Sequence, residues 1–271
     1  KDRLDNTFKG HEDIERKLAL PVLGMSPLIG NKDLKKTLSG EGSISMSGQM
    51  FIEAINNIRT STLFSNIDTP PKTFLVTSSV PNEGKTTLSC ELAMSFSQLG
   101  PTLLLEADLR NPSVAKTMGL DERIGITEFV SGQATAEEVI RKHHKRNLSF
   151  ITCGAIPPNP LEFVSSKKFK RALDDLKTRF EYIIIDTPPV FLFSDVLVLG
   201  QLVDALIMVV RVDWCKHNVA QGTLKRLHNS HIKPLGVVLS HANTKSINGY
   251  GDYYYGKYYG AGAKAGNSAG A

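Results

Sequence analysis

An α/β fold, with a mostly parallel sheet covered by helices on both faces, is what this sequence predicts, and two observations carry the prediction. Short continuous apolar runs recur at 73–77, 103–105, 148–151, 182–185, 205–210 and 235–239. Segments of helical periodicity separate them, as at 86–99 and 167–179. Runs that are apolar at nearly every residue are strands buried on both faces, and alternation with helices supplies the crossovers that parallel strands need.

Composition agrees. A chain of 271 residues can bury one large core, and 41% hydrophobic with 22% charged residues describes an ordinary globular protein. No apolar run approaches the roughly 18 residues that span a bilayer, so this piece is expected to be soluble. The chain begins at Lys1 and shows no charged-then-apolar leader, which reads as an excised part of something longer and is compatible with a membrane-anchored parent. The net charge of +5 is spread along the chain without a basic block interleaved with aromatics, so no nucleic-acid partner is expected. Cys90, Cys153 and Cys215 lie far apart with no CxxC spacing, which argues against zinc and disulfides and fits a reducing cytosol. The His143-His144 pair lies in a basic stretch and reads as a solvated face.

Taken in order, residues 11–24 suggest a short helix and a Pro-led strand, and the Gly- and Ser-rich stretch 39–49 a loop or linker. From 50 to 63 an amphipathic helix places Phe51, Ile55, Ile58 and Leu63 on one face. These readings set residues 1–49 apart as a lead-in, 50–243 as the central domain and 244–271 as a tail. The helix at 86–99 aligns Leu88, Leu92, Phe96 and Leu99 and is stopped by Gly100 and Pro101. The tail, rich in Tyr, Gly, Ala and Asn, has no aliphatic periodicity and is expected to be flexible.

Chemistry concentrates at three strand ends. Ser79, Val80, Pro81, Asn82, Glu83, Gly84, Lys85 and Thr86, followed by Thr87, match a phosphate-binding loop at its G-K-[ST] end. The loop lies between a strand and a helix, so backbone N–H groups and the helix N-terminus can meet phosphate oxygens, Lys85 can reach the β- and γ-phosphates and Thr86 can bind Mg²⁺. The run 183–185 leads into Asp186, a Walker B pattern, and 103–105 leads into Glu106 and Asp108. Acids at the carboxyl edge of a parallel sheet are what a Mg²⁺–phosphate site requires. ATP and Mg²⁺ are therefore the expected ligands, with Thr86, Asp108 and Asp186 around the metal.

These residues resemble the bacterial tyrosine kinases, cytoplasmic partners of polysaccharide co-polymerases. That family carries a Walker A loop, a D-x-D-x-R motif after three apolar residues, and a Walker B motif; the chain supplies SVPNEGKTT, LLLEADLRNP and IIIDTPP in that order and ends in tyrosines. The resemblance extends over nearly the whole chain and implies a P-loop NTPase fold and autophosphorylation on tyrosine. It also implies a homo-oligomer, possibly a ring; a transmembrane co-polymerase or activator segment in the same or a partner chain; a phosphotyrosine phosphatase; and the cytoplasmic face of the inner membrane. Three departures stand out. Glu106 replaces the first Asp of the acidic motif, Ser79 replaces the loop's first glycine, and the E-x-x-R-x-x-R pattern linked to ring assembly appears as Glu53, Asn56 and Arg59, one arginine short.

Of seven tyrosines, Tyr250, Tyr253, Tyr254, Tyr255, Tyr258 and Tyr259 fall within ten positions. Gly251, Asp252, Gly256 and Lys257 break any strand there, which favours exposed acceptors over core packing. About eleven extended residues from Leu239, at roughly 3.3–3.6 Å each, carry Tyr250 some 35 Å, so reach does not limit transfer within one subunit or into a neighbour. In this reading Lys85 and the loop stabilise the transferring phosphoryl, and Glu106 or Asp108 accepts the tyrosine proton. Two rival readings are a partitioning or division-site ATPase, whose loop carries an early lysine where this chain has Val80, and a non-catalytic ATP-dependent assembly module.

Overall fold

The computed structural model describes residues 6–65, 68–120 and 124–242. Helix α1 (His11–Leu18) leads into strand β1 (Val22–Pro27), followed by helices α2 (Asn31–Ser39) and α3 (Met46–Leu63). Strand β2 (Thr73–Ser78) feeds helix α4 (Lys85–Phe96), and β3 (Thr102–Glu106) feeds three short helices, α5 (Val114–Met118), α6 (Ile126–Ser131) and α7 (Ala136–Val139). The short β4 (Arg141–Lys142) turns into β5 (Leu148–Ile151), which helices α8 (Pro160–Ser165) and α9 (Lys167–Arg179) connect to β6 (Tyr182–Asp186). Helix α10 (Asp195–Leu199), strand β7 (Ala205–Arg211), helix α11 (His217–Asn229) and strand β8 (Gly236–Ala242) complete the described chain.

Among the described residues, the strands form one sheet in the order β1-β8-β7-β2-β6-β3-β5-β4. Every neighbouring pair is parallel except the edge pair β4 and β5. Successive side chains of a strand point to opposite faces, and the two cores follow that alternation: Leu75, Leu105 and Ile185 pack on one face, Phe74, Leu104 and Ile184 on the other. Because helices cover both faces, every residue of β2 is buried, which is why these strands read as unbroken apolar runs.

Local readings are corrected at four places. The stretch 39–49 is loop only between the end of α2 and Ser45; α3 begins at Met46, and the Ser45 hydroxyl caps it by accepting from the Gly48 N–H. Helix α2 went unpredicted, because nine residues with few apolar positions carry too little periodicity. Helix α4 ends at Phe96, and Leu99 is 48% exposed rather than on the buried face, since the chain leaves the helix through i→i+3 turns from Ser95 and Phe96. Strand β8 runs to Ala242, beyond the apolar run, and brings Ser240 to the phosphate loop.

The lead-in contributes β1, paired in parallel with β8, and α3 lies over β1. Contact there is close: a Cβ at Gly24 would come within 2.5 Å of Ile58 Cγ1. Among the described residues no helix is long and apolar enough to cross a membrane.

Helix α4, which starts at the phosphate loop, is buried from Leu88 to Phe96. Glu91 is among those residues, its carboxylate bonded to the Thr37 hydroxyl of α2. Burial pushes the Glu91 carboxyl from 4.5 up to about 7, opposed by that one hydroxyl. An acid whose folded value lies above its unfolded one holds a proton that the unfolded chain has released, so this group costs stability as pH rises from 4.5 to 7. Glu91→Gln is therefore expected to be more stable than wild type above pH 7, by on the order of 3 kcal/mol. The difference should vanish in urea unfolding below about pH 4.5.

Candidate functional site

Strands β2, β6 and β3 lie side by side and end at one sheet edge. Val76 pairs with Asp186, and Asp186 with Glu106. The loop after β2 and the acids ending β6 and β3 are therefore neighbours about 5 Å apart by strand spacing alone.

Leaving β2, the chain turns through Asn82 (φ 65°) and Gly84 (φ 86°), both left-handed, before α4 begins at Lys85. Gly84 needs its freedom here: a side chain would be strained by φ and would face the Ser240 and His241 side chains. No side chain caps α4, so its first-turn N–H groups are left to an anion.

The loop opens on a cleft of about 490 Å³. Pro81, Asn82, Gly84, Lys85, Thr86 and Thr87 form one wall, with Asp108, Arg110, Asn111 and Ser113 opposite and Pro189, Leu192 and Phe193 at the rim. Ser79, Val80 and Glu83 do not line it. Ser79 and Glu83 are fully buried, so their side chains face the protein interior rather than the cleft. A second cleft of about 180 Å³ shares Gly84 and Thr87 with the first and is bounded by Leu28, Ile29, Phe51, Ser240 and His241 among others.

Two pairs converge at the floor of the main cleft, where Lys85, Thr86 and Asp108 line it and Asp186 lies fully buried behind Thr86. Lys85 Nζ donates to Asp108 Oδ2 at 2.8 Å, with side chains 12% and 3% exposed. Burial alone works to lower the Lys85 ammonium, but Asp186 and Asp108 override it and hold it above its ordinary value. The Thr86 hydroxyl donates to Asp186 Oδ2 at 2.8 Å, and Ser89 to Oδ1 at 2.9 Å. Asp186 is pushed up by its burial, against the pull of Lys85, Thr86 and Ser89.

Glu106 stands apart. Its Oε1 accepts the N–H groups of Ser113 (2.5 Å) and Val114 (2.6 Å), and its Oε2 that of Cys153 (3.0 Å). It is fully buried and does not line the cleft. Burial pushes its carboxyl up, opposed by those N–H groups. A carboxylate that holds three backbone N–H groups at the start of α5 is a structural tie, and of the two acids expected as candidate bases, Glu106 and Asp108, it is Asp108 that lines the cleft. The extra methylene of Glu over Asp is the signal that was available in the sequence.

Sequence reasoning gave no role to Arg110, Asn111 or Ser113, which share the cleft wall. Arg110 forms a two-point pair with Asp195 (3.1 and 3.3 Å) and lies 4.4 Å over the Phe193 ring. Ser113 Oγ is 3.1 Å from Thr86 Oγ1. Glu53 and Arg59 are not brought to the cleft: they lie on α3. Arg59 donates to the Ser95 carbonyl (2.6 Å) and Gln98 (3.3 Å) of its own chain, while Asn56 accepts from Ser95 Oγ at 2.7 Å. The six tail tyrosines, Tyr250 to Tyr259, lie outside the described residues.

A family model described as an AAA domain matches residues 82–230. The chain is similar to tyrosine-protein kinase YwqD of Bacillus subtilis, 32% identical over 206 residues that span 75% of this chain and 86% of that protein. To tyrosine-protein kinase CpsD of Streptococcus agalactiae it is 35% identical over 208 residues, 76% of this chain and 90% of that one. Among solved structures, the kinase domain of VpsO superposes with a TM-score of 0.67 at 33% identity, over 72% of this chain and 98% of that one.

Removing the Glu106 carboxylate leaves three N–H groups, two of them buried, without their acceptor. Glu106→Ala is expected to cost about 3 kcal/mol or more, and Glu106→Gln, which keeps one acceptor, roughly half of that. Denaturant unfolding of the two variants checks the order.

Proposed function

The chain belongs to the bacterial tyrosine-protein kinases, and from that premise we propose that it transfers the γ-phosphoryl of ATP to its own tail tyrosines, Tyr250, Tyr253, Tyr254, Tyr255, Tyr258 and Tyr259. The observation that carries this reading is the convergence of Lys85–Asp108 and Thr86–Asp186 on one cleft at the mouth of a helix N-terminus. Phosphates would lie over Gly84 to Thr87. The base would extend past Thr87 into the second cleft.

The donors fit Mg²⁺: Thr86 and Asp186 are hard oxygen ligands already held together, with Asp108 nearby. When bound, the ion neutralises charge on the phosphate oxygens. Lys85, now paired with Asp108, would pass to the phosphates and leave the Asp108 carboxylate free. The phenol oxygen then attacks the γ-phosphorus, its proton moves to Asp108, and the bond to the β,γ-bridging oxygen breaks to release ADP. Glu106 positions the loop that carries Asp108 through Ser113 and Val114.

The course of β8 supports tail delivery. It runs parallel to β7, and Ser240 touches the phosphate loop, so the chain leaves Ala242 on the cleft side of the sheet, eight residues before Tyr250. Roughly 28 Å of extended chain suffices for the same site or a neighbour's. In this reading the kinase works at the cytoplasmic face of the inner membrane with a transmembrane activator segment, a phosphatase resets the tail, and the cycle regulates capsule or exopolysaccharide polymerisation and export. Self-association would involve α3 through Glu53 and Arg59.

Incubation with labelled ATP and Mg²⁺, followed by mass spectrometry of the tail, tests the chemistry. Lys85→Met should abolish phosphotyrosine, and Asp108→Asn should slow its formation by about 10²–10⁴-fold. A tail labelled at the wild-type rate in the Lys85 variant would refute the assignment. Each phosphotyrosine adds about −1.5 to −2 charges, so a fully modified chain is expected to self-associate less. Light scattering should then give a smaller mass than for the unmodified form.

A further inference from the structure

Behind the cleft, the phosphate loop is held by groups that phosphoryl transfer does not use. The Ser78 hydroxyl donates to the Val80 carbonyl at 2.8 Å, and Trp214 Nε1 to that of Pro81 at 3.3 Å. The Arg211 guanidinium donates to the Asn82 carbonyl at 3.0 Å, and the Ser240 hydroxyl to that of Glu83 at 2.5 Å. Four successive carbonyls, 80 to 83, are thus occupied from the ends of β2, β7 and β8. A loop whose carbonyls are engaged away from the cleft is one whose N–H groups are left to an anion.

Glu83 is central to this arrangement. Its Oε2 accepts the Val80 N–H at 2.8 Å, closing the loop on itself, and its Oε1 accepts the Arg211 N–H at 3.2 Å, fastening the loop to the end of β7. The carboxylate is wholly buried and faces the Cys215 thiol rather than the cleft. Burial pushes it up to about 7, opposed first by the two N–H groups. The turn that carries Trp214 and Cys215 is itself strapped by the N-terminal segment: Phe8 N donates to the Cys215 carbonyl at 3.3 Å and Asp213 N to the Phe8 carbonyl at 3.0 Å.

We propose that Glu83 is a positioning residue for nucleotide binding, its carboxylate clamping the phosphate loop to β7 so that the loop presents N–H groups, not carbonyls, to the phosphates. The inference rests on the nucleotide reading above. Glu83 lines no part of the cleft, so its loss acts through the loop and is read first in nucleotide affinity.

Calorimetric titration of the full chain with MgADP tests it, alongside the rate of tail phosphorylation at saturating ATP. Glu83→Gln keeps the reach but turns an NH₂ toward one of the two N–H donors. Its Kd for MgADP is expected to rise about tenfold, as for one lost charge-assisted bond, while kcat at saturating ATP falls by a smaller factor. An unchanged Kd, or a fall in kcat at unchanged Kd, overturns the proposal. Should thermal melting show Glu83→Gln unfolded, Glu83→Asp decides: it keeps the carboxylate but shortens its reach to the Val80 and Arg211 N–H groups. A Kd raised about threefold supports the clamp and an unaltered Kd overturns it. A wild-type chain without saturable MgADP binding overturns this inference and the nucleotide reading together, and so differs from a wild type that binds and a variant that binds equally well.

Discussion

The Lys85 ammonium sits where the charges of Asp186, Asp108 and Glu106 meet, and the rest of the site depends on that one cation. Three acids at one sheet edge, each nearly or fully buried, would repel one another and resist ionisation in a low-dielectric interior. The sheet order resolves this, because β2 lies beside β6 and β6 beside β3. The helix that follows β2 therefore delivers its first residue, Lys85, between the acids. The same ammonium that offsets their charge lines the cleft, so folding and the proposed nucleotide binding draw on a single side chain.

Once that cation is in place, the acids divide the work by what their oxygens already hold. Asp186 is enclosed by the hydroxyls of Thr86 and Ser89 and keeps a fixed orientation beside the helix start. Glu106, one methylene longer than an Asp, reaches three backbone N–H groups and becomes the tie that shapes the loop through Ser113. Asp108 faces the cleft, bonded to Lys85 and to the Asn111 N–H. In the proposed reaction a phosphate would draw Lys85 from Asp108, giving the acid two states, masked and free.

Rigidity around the cleft comes from packing on the far side. Helix α4 is enclosed, with α3 fastened to its C-terminal end through Asn56 and Arg59 and α2 bonded to Glu91. Beneath the loop, Ser78, Arg211, Trp214 and Ser240 engage its carbonyls. Preorganised N–H groups aimed at phosphates stabilise charge without reorganising during transfer. Residues far apart in sequence, from Phe8 to His241, thus bear on one short loop.

The parallel sheet, the phosphate loop at Lys85 and Thr86, and the acids at the ends of β3 and β6 were legible in the sequence, because strand periodicity and the G-K-T turn are local signals with a local cause. Helix α2, the true start of α3 and the exposure of Leu99 were not legible: short helices and helix ends are decided by what they pack against. Nor did the motif distinguish Glu106 from Asp108. Glu106 ends β3 and Asp108 lies two residues on, and only the fold, by bringing the amides of Ser113, Val114 and Cys153 to Glu106, turned one acid into the backbone and left the other in the cleft. By itself, the sequence determined the parallel sheet and the strand ends at or beyond which Lys85, Thr86, Glu106, Asp108 and Asp186 lie. Which side chain faces the cleft and which faces the core was decided by tertiary structure alone, because that choice rests on hydrogen-bond partners distant in sequence, as for the Glu83 carboxylate and the Arg211 N–H, 128 residues apart.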